Sequence, residues 1–272
     1  MTELRELALR ALGQTTWADK ATLLDEVGID APVDTARIFQ AHEPIPGRPA
    51  VELVPPAGLR LRSVHTLEGR AILLHALAHI EFNAINLALD VVWRFPDMPE
   101  TFYQQWLGVA IEESKHFHML ESHLNTLGYR YGDFPAHDGL WEMAERTQDD
   151  VLARLALVPR TLEARGLDAS PAVRHKLASG GDAKGAGIID VILRDEIGHV
   201  AIGNYWYRWL CTERGREPIQ TYAELAKQYR APTLKGPFNI EARLAAGFEP
   251  EEIVALQKEN ERPKEGARAQ TE

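Results

Sequence analysis

Apolar residues recur every three or four positions along most of the chain, and this spacing predicts α-helices. No segment shows the alternation of apolar and polar residues that is typical of a half-buried strand. Four stretches are long enough to be principal helices, and proline or glycine lies beside several of their ends. Their predicted bounds are 67–95, 99–128, 140–165 and 187–214. The pattern therefore predicts an all-α fold.

Shorter amphipathic helices are expected around these four. Their predicted bounds are 2–12, 17–27, 171–178, 219–230, 240–246 and 250–258. A proline-rich stretch at 42–58 cannot be helical, and its apolar residues favour an extended arm that lies on the helices. The polar residues after the last helix are expected to be disordered.

The predicted elements divide the chain into three parts. Residues 1–64 are expected to form N-terminal helices and the proline-rich arm, packed on a central bundle. Residues 65–215 would form that bundle of four helices, and residues 216–272 a C-terminal helical extension with a polar tail.

Composition narrows the class of protein. The net charge of −10 disfavours a nucleic-acid partner or an anionic membrane surface. A single cysteine, Cys211, excludes an internal disulfide and a thiolate-rich metal site. The N-terminus does not resemble a signal peptide, and the most apolar run, 71–80, is short and contains two histidines, so no membrane span is expected. These features predict a cytoplasmic protein.

One short motif occurs twice, as Glu113-x-x-His116 and as Glu196-x-x-His199. A glutamate lies upstream of each copy: Glu113 follows Glu81 by 32 positions, and Glu196 follows Glu163 by 33. Four carboxylates and two imidazoles in this repeated order match the ligands of a dinuclear metal site inside a four-helix bundle. The similar spacing also suggests duplication of a two-helix unit.

Helical spacing places three of these glutamates on apolar faces. The residues three, four and seven positions from Glu81, Glu113 and Glu196 are mostly apolar or are the motif histidines. Glu163 fits less well, because Pro159 and Arg160 fall on its face and Pro159 should kink the helix. Carboxylates buried together are costly unless cations neutralise them. Oxygen and imidazole ligands without thiolate suit iron or manganese.

The chain resembles the ferritin-like di-iron carboxylate proteins, and most closely an uncharacterised bacterial ferritin-like family of unknown function. The segments HALAHIEFNAI, IEESKHFHMLESHL, LVPRTLEARGLD and LRDEIGHVAIGN carry the resemblance. It implies two iron ions, or alternatively manganese or a mixed iron–manganese pair. The ligands that it implies are Glu81, Glu113, His116, Glu163, Glu196 and His199. It also makes Asp195 and Glu112, which precede the motif glutamates, candidates for holding the outer nitrogen of a ligand histidine.

Several functions are compatible with such a site. The leading hypothesis is an oxygen- or peroxide-dependent oxidoreductase, a hydroxylase or oxidase, acting on a small organic substrate with electrons from a separate donor protein. The alternatives are an iron-binding, ferroxidase or storage protein, and a manganese protein that disproportionates peroxide. Exposed helix faces are compatible with a homodimer. The sequence identifies neither the substrate nor the native metal.

Overall fold

The computed structural model describes residues 3–26, 28, 31–41, 44–59 and 62–261. Within these ranges the protein is all-α, as the sequence predicts, and the one extended pairing is an isolated bridge between Leu53 and Ala136. The helices are α1 Leu4–Gly13, α2 Trp17–Glu26, α3 Leu67–Arg94, α4 Glu100–Thr126, α5 Gly139–Arg146, α6 Val151–Leu157, α7 Ala164–Ser179, α8 Ala183–Glu213, α9 Pro218–Gln228, α10 Ile240–Ala245 and α11 Pro250–Glu261. A 3₁₀ turn lies at Pro56–Gly58, and a π-helical segment, Val158–Glu163, joins α6 to α7.

The core consists of long helices packed in pairs. Helix α3 packs along α4, α7 packs along α8, and α4 and α6 also contact α8. Thr66 begins α3 by accepting a hydrogen bond from the Gly69 amide, 3.0 Å away, and Asp182 begins α8 by accepting one from the Gly185 amide. Because α4 contacts both α3 and α8, residues from three chain segments meet in the interior.

The third predicted helix differs from the structure. Instead of one helix over 140–165, the chain forms α5, a turn, α6 and the π segment, and α7 then continues to Ser179. Gly166 does not end a helix, and Pro171 lies inside α7, where it removes one backbone hydrogen bond without ending the helix. The predicted helix at 171–178 is therefore the second half of α7. Helix α8 begins at Ala183, four residues before the predicted position.

The N-terminal segments pack on the core. Helix α1 lies against α3, and the buried Arg5 donates hydrogen bonds to the carbonyl oxygens of Val92 and Trp93 at the end of α3. The arm contacts the rest of the protein through Gly47, whose amide donates to the Leu12 carbonyl at 2.8 Å, and through the bridge at Leu53. The described part of the arm, residues 44–59, thus has defined contacts with α1 and with the loop before α5.

The C-terminal segment covers α7 and α8. Ala242, Ala246 and Phe248 pack with Val200 of α8 in a second apolar cluster. Arg243 pairs with Asp168 of α7 at 2.7 Å. Helix α11 extends three residues beyond the predicted end, so residues 259–261, at the start of the tail expected to be disordered, are helical instead. The rest of that tail, 262–272, lies outside the described residues.

One helix, α3, meets the length and hydropathy criteria of a membrane span, although the sequence analysis expected no such segment. By length and composition alone, α3 is apolar enough to cross a membrane, because the apolar residues continue well beyond the run at 71–80. However, 72% of its most apolar window is buried inside the protein. This burial is typical of the core helix of a soluble protein, with which the structure is consistent.

Candidate metal centre

Buried carboxylates and imidazoles converge from α3, α4 and α8. Oxygen and nitrogen atoms of four of these side chains lie within 4.8 Å of one another, close enough to hold a metal ion. The four residues are Glu81, Glu113, His116 and Glu196. His199 joins them, since its Nδ1 lies 3.3 Å from Oε1 of Glu196. The structure therefore brings together five of the six predicted ligands through direct contacts.

Glu113 occupies the middle of this cluster and is 1% exposed. Its Oε2 lies 3.1 Å from Nδ1 of His116, and its Oε1 lies 3.0 Å from Nδ1 of His199. Glu81 lies on the His116 side, with Oε2 3.4 Å from the same Nδ1 atom. One carboxylate thus spans the two imidazoles, in the position of a group that could bridge two cations.

The outer nitrogens of the two imidazoles contact the acids singled out by the sequence, but in crossed order. Nε2 of His116 on α4 lies 3.2 Å from Oδ2 of Asp195 on α8. Nε2 of His199 on α8 lies 2.7 Å from Oε2 of Glu112 on α4. Each acid therefore fixes the ring orientation of the histidine in the other motif, and both Nδ1 atoms are directed into the carboxylate cluster.

Glu163 reaches the cluster from the end of the π segment. The residue as a whole is partly exposed, but its Oε2 is buried and has no hydrogen-bond partner. Burial, followed by the charges of Glu196 and Glu113, raises its pKa well above the usual range for a glutamate. The carboxyl group thus interacts electrostatically with Glu196 and Glu113, but it is not one of the four side chains whose donor atoms lie within 4.8 Å of one another.

The π segment follows from Pro159. Proline has no amide hydrogen to donate to the preceding turn, so the regular α-helical bonding of α6 is interrupted there. The Thr161 hydroxyl donates a hydrogen bond to the Ala156 carbonyl of α6, at 2.8 Å. Gly203 of α8 lies directly beneath: a Cβ added there would stand 2.6 Å from Cβ of Pro159. The segment that presents Glu163 thus depends on a glycine of the facing helix.

The electrostatics of the cluster favour added positive charge. Burial and the neighbouring Glu113 raise the pKa of Glu81 to about 8. Burial alone would lower the pKa of His116, but the adjacent carboxylates of Glu113 and Glu81 outweigh that effect and raise it to about 11. The pKa of His199 is raised for the same kind of reason, against its burial. Without metal, protons on Glu81, His116 and His199 therefore offset the negative charge of the cluster. Bound divalent cations would offset it in their place.

The cluster has donor atoms that are left over for a metal ion. Oε2 of Glu81 and Oε2 of Glu163 are buried and lack hydrogen-bond partners, an arrangement that is costly unless something else binds them. These two unpaired oxygens belong to the upstream glutamates, which are the first predicted ligand in each half of the repeat. Oxygen and imidazole ligands without sulfur suit hard or borderline divalent cations.

The remaining buried histidines of the neighbouring helices have other partners. His79 contacts the Tyr131 hydroxyl through Nδ1 at 2.9 Å, and His75 accepts a hydrogen bond from the Gly132 amide through Nε2. His123 contacts Asp182. None of these imidazoles contacts the carboxylate cluster, in agreement with their helical phase.

Sequence reasoning missed two features of the centre. The first is the crossed pairing of the outer acids, because spacing along one helix cannot show which residues of a facing helix are opposite. The second is Arg194, whose Nε donates to Oδ1 of Asp195 at 2.9 Å and so helps to position that acid. The adjacency of Arg194 and Asp195 was the only signal available.

Comparison with known proteins places the chain among proteins without an assigned activity. A family described as "Protein of unknown function (DUF455)" matches residues 10–254. An uncharacterized protein of Haemophilus influenzae is 52% identical over 208 residues, which are 74% of this chain and 72% of that protein. No solved structure matches the chain significantly.

Proposed function

The chain belongs to the family described as "Protein of unknown function (DUF455)", and we propose that it is a ferritin-like dinuclear metal protein, with iron as the metal, that oxidises a small organic substrate. The observation that carries this proposal is the position of Glu113 between His116 and His199, with one carboxylate oxygen near each Nδ1 atom. A carboxylate that spans two imidazoles suits two cations side by side.

The ligands divide into two similar halves. Glu81 and the motif of α4 would hold one metal ion, and Glu163 and the motif of α8 would hold the other, with Glu113 shared between them. Four carboxylates balance the charge of two divalent cations, and the imidazoles add no charge. The long helices that pair as α3 with α4 and α7 with α8 support a ferritin-like bundle around this site.

Bound iron would supply the chemistry that reduces dioxygen or peroxide and oxidises the substrate. The role of the protein is to position and shield the metal ions. Asp195 and Glu112 hold the imidazole rings with Nδ1 directed inward. Buried apolar residues on the ligand faces, such as Ile85 and Val200, keep water from the cluster. Electrons for catalytic turnover would come from a separate donor protein.

Metal analysis and an oxygen assay test this proposal. Purified protein loaded with iron(II) without oxygen is expected to retain about two ions per chain after desalting. On mixing with dioxygen or peroxide, the bound iron(II) should be oxidised and the oxidant should be consumed. Protein that binds two iron ions but reacts with neither oxidant would refute the oxidoreductase proposal.

Two further measurements separate the alternatives. A large cage by size-exclusion chromatography with light scattering, filled with iron, would indicate storage in place of substrate oxidation. Manganese in protein purified from cells grown without added metal, together with peroxide disproportionation, would indicate the manganese alternative. A small assembly that oxidises iron(II) with dioxygen supports the proposed function.

A further inference from the structure

A cavity lies away from the carboxylate cluster, beneath the C-terminal helices. Its volume is about 520 Å³, within the range of small-molecule sites. Residues of α9, α11, the π segment and the segment after α9 line it. Most of this lining is apolar, and Tyr222, Leu234, Phe248 and Leu256 are its larger side chains. The cavity could therefore hold the apolar body of a small molecule.

The charged groups of this cavity are mainly basic. Arg160 is 4% exposed and lines the cavity together with Lys227 and Lys258, which are exposed at its rim. Glu252 is the acid of this lining, and it is paired with two guanidinium groups, those of Arg160 and Arg208. A positive charge therefore remains in this group of three, in a protein whose net charge is −10.

Arg160 has an unused hydrogen-bond donor. Its Nε donates to Oδ1 of Asn204 at 2.5 Å, and its Nη2 pairs with Glu252. Its Nη1 is buried and has no hydrogen-bond partner. The other arginine of the lining, Arg243, is held by Asp168 through both Nε and Nη2. A buried guanidinium nitrogen without an acceptor is costly, and an anionic group can supply that acceptor.

We propose that this cavity binds a small amphipathic anion, with its apolar body between α9 and α11 and its negative group directed to Arg160 and Lys227. The site is separate from the metal centre, and its ligand does not require metal. Arg160 and Glu163 nevertheless lie in the same π segment, so this segment contributes one residue to each site.

Calorimetry on the whole protein tests the proposal with three small molecules. They have the same alkyl length and differ in the charge of the head group. The probes are decanoate, decanol and decyltrimethylammonium. Decanoate is expected to bind about tenfold more tightly than decanol, because a hydrogen-bonded ion pair at a buried arginine adds about that much affinity. The cationic probe should bind more weakly than either, and salt should reduce the preference for decanoate.

Two substitutions at exposed residues of the lining, each with a control outside it, test where the anion binds. Lys227→Glu should lower the affinity for decanoate about fivefold, whereas Lys235→Glu, outside the lining, should not. Ala223→Trp should block all three probes by filling the cavity, and Gln228→Trp on the same helix should not. Equal affinity for the three probes, absence of saturable binding, or decanoate binding unaffected by Ala223→Trp would overturn the proposal. None of these results depends on metal content.

Discussion

Nε2 of His199 on α8 lies 2.7 Å from Oε2 of Glu112 on α4, and the reciprocal contact joins His116 on α4 to Asp195 on α8. Each copy of the motif thus orients the histidine of the other copy. The hydrogen bond from His199 lowers the pKa of Glu112, which keeps this carboxylate negative at neutral pH. Any change in the packing of α4 against α8 would therefore alter the orientation of both rings.

The crossed contacts predict that the outer acids affect metal affinity without binding metal themselves. Asp195→Asn and Glu112→Gln should each weaken metal binding, by about 10- to 100-fold, because the imidazole loses its anionic partner and its fixed orientation. Chelator competition on iron(II)-loaded protein measures this effect.

Asp190→Asn provides a matched control for these variants. Asp190 lies on α8, like Asp195, but pairs with the exposed Arg174. This variant should bind metal as the unmodified protein does. Equal metal affinity for Asp195→Asn and Asp190→Asn would show that the outer carboxylate does not contribute.

The position of Glu113 predicts a difference in metal stoichiometry between ligand variants. Because its two oxygens lie near different imidazoles, Glu113→Gln should lose both metal ions. Glu81 contacts only the His116 side, so Glu81→Gln should retain about one ion per chain. Elemental analysis after desalting gives both values, and Glu121→Gln on α4 serves as a control outside the cluster. Retention of two ions by Glu113→Gln would contradict a bridging position.

Periodicity alone allowed the prediction of the all-α fold and of three ligand faces. Glu81, Glu113 and Glu196 lie on regular α-helices, where positions three and four apart share a face, so their common direction can be read from the sequence. Glu163 could not be treated in this way. The π segment inserts an extra residue into the turn after Pro159, and α-helical spacing no longer describes which residues share its side.

The bounds of the third helical stretch were also wrong for a physical reason. Glycine and proline near 166 and 171 normally suggest a helix end, but tertiary contacts override these local preferences. Helix α7 packs along α8 throughout this region, and Leu167 is fully buried. Propensity therefore predicted the helices themselves better than the points where they end.

The close approach of α8 to the π segment predicts the effect of a single methyl group. Gly203→Ala should destabilise the protein by about 1–3 kcal/mol, because the new Cβ would lie 2.6 Å from Cβ of Pro159 and one helix must move. The same movement should displace Glu163 and weaken the metal position on the α8 side. Urea unfolding and metal stoichiometry measure the two effects.

Gly187→Ala is the matched control for that substitution. Gly187 is exposed on the same helix, and a Cβ there would meet no neighbouring atom within 4 Å. This variant should be more stable than the unmodified protein by about 1 kcal/mol, the usual advantage of alanine over glycine within a helix. If both variants gained stability, the close approach of residue 203 to Pro159 would not determine the effect of the substitution.

His75 predicts how the stability of the metal-free protein depends on pH. Its Nε2 accepts a hydrogen bond from the Gly132 amide at 2.9 Å, which requires the neutral ring, and burial lowers its pKa to about 4. In the unfolded chain the pKa would be near 6.5. Between these values the unfolded state binds the proton more strongly, so stability falls as the pH decreases from 6.5 towards 4.

His75→Gln removes this titration while its side-chain oxygen can still accept from Gly132. Between pH 7.5 and pH 4.5 the unmodified protein should lose about 2 kcal/mol more of its unfolding free energy than the variant does. Urea unfolding of both proteins without metal at the two pH values measures the difference. The buried His79 and the carboxylate cluster titrate in both proteins, so their contributions cancel to first order. Equal losses of stability would contradict a neutral, buried His75.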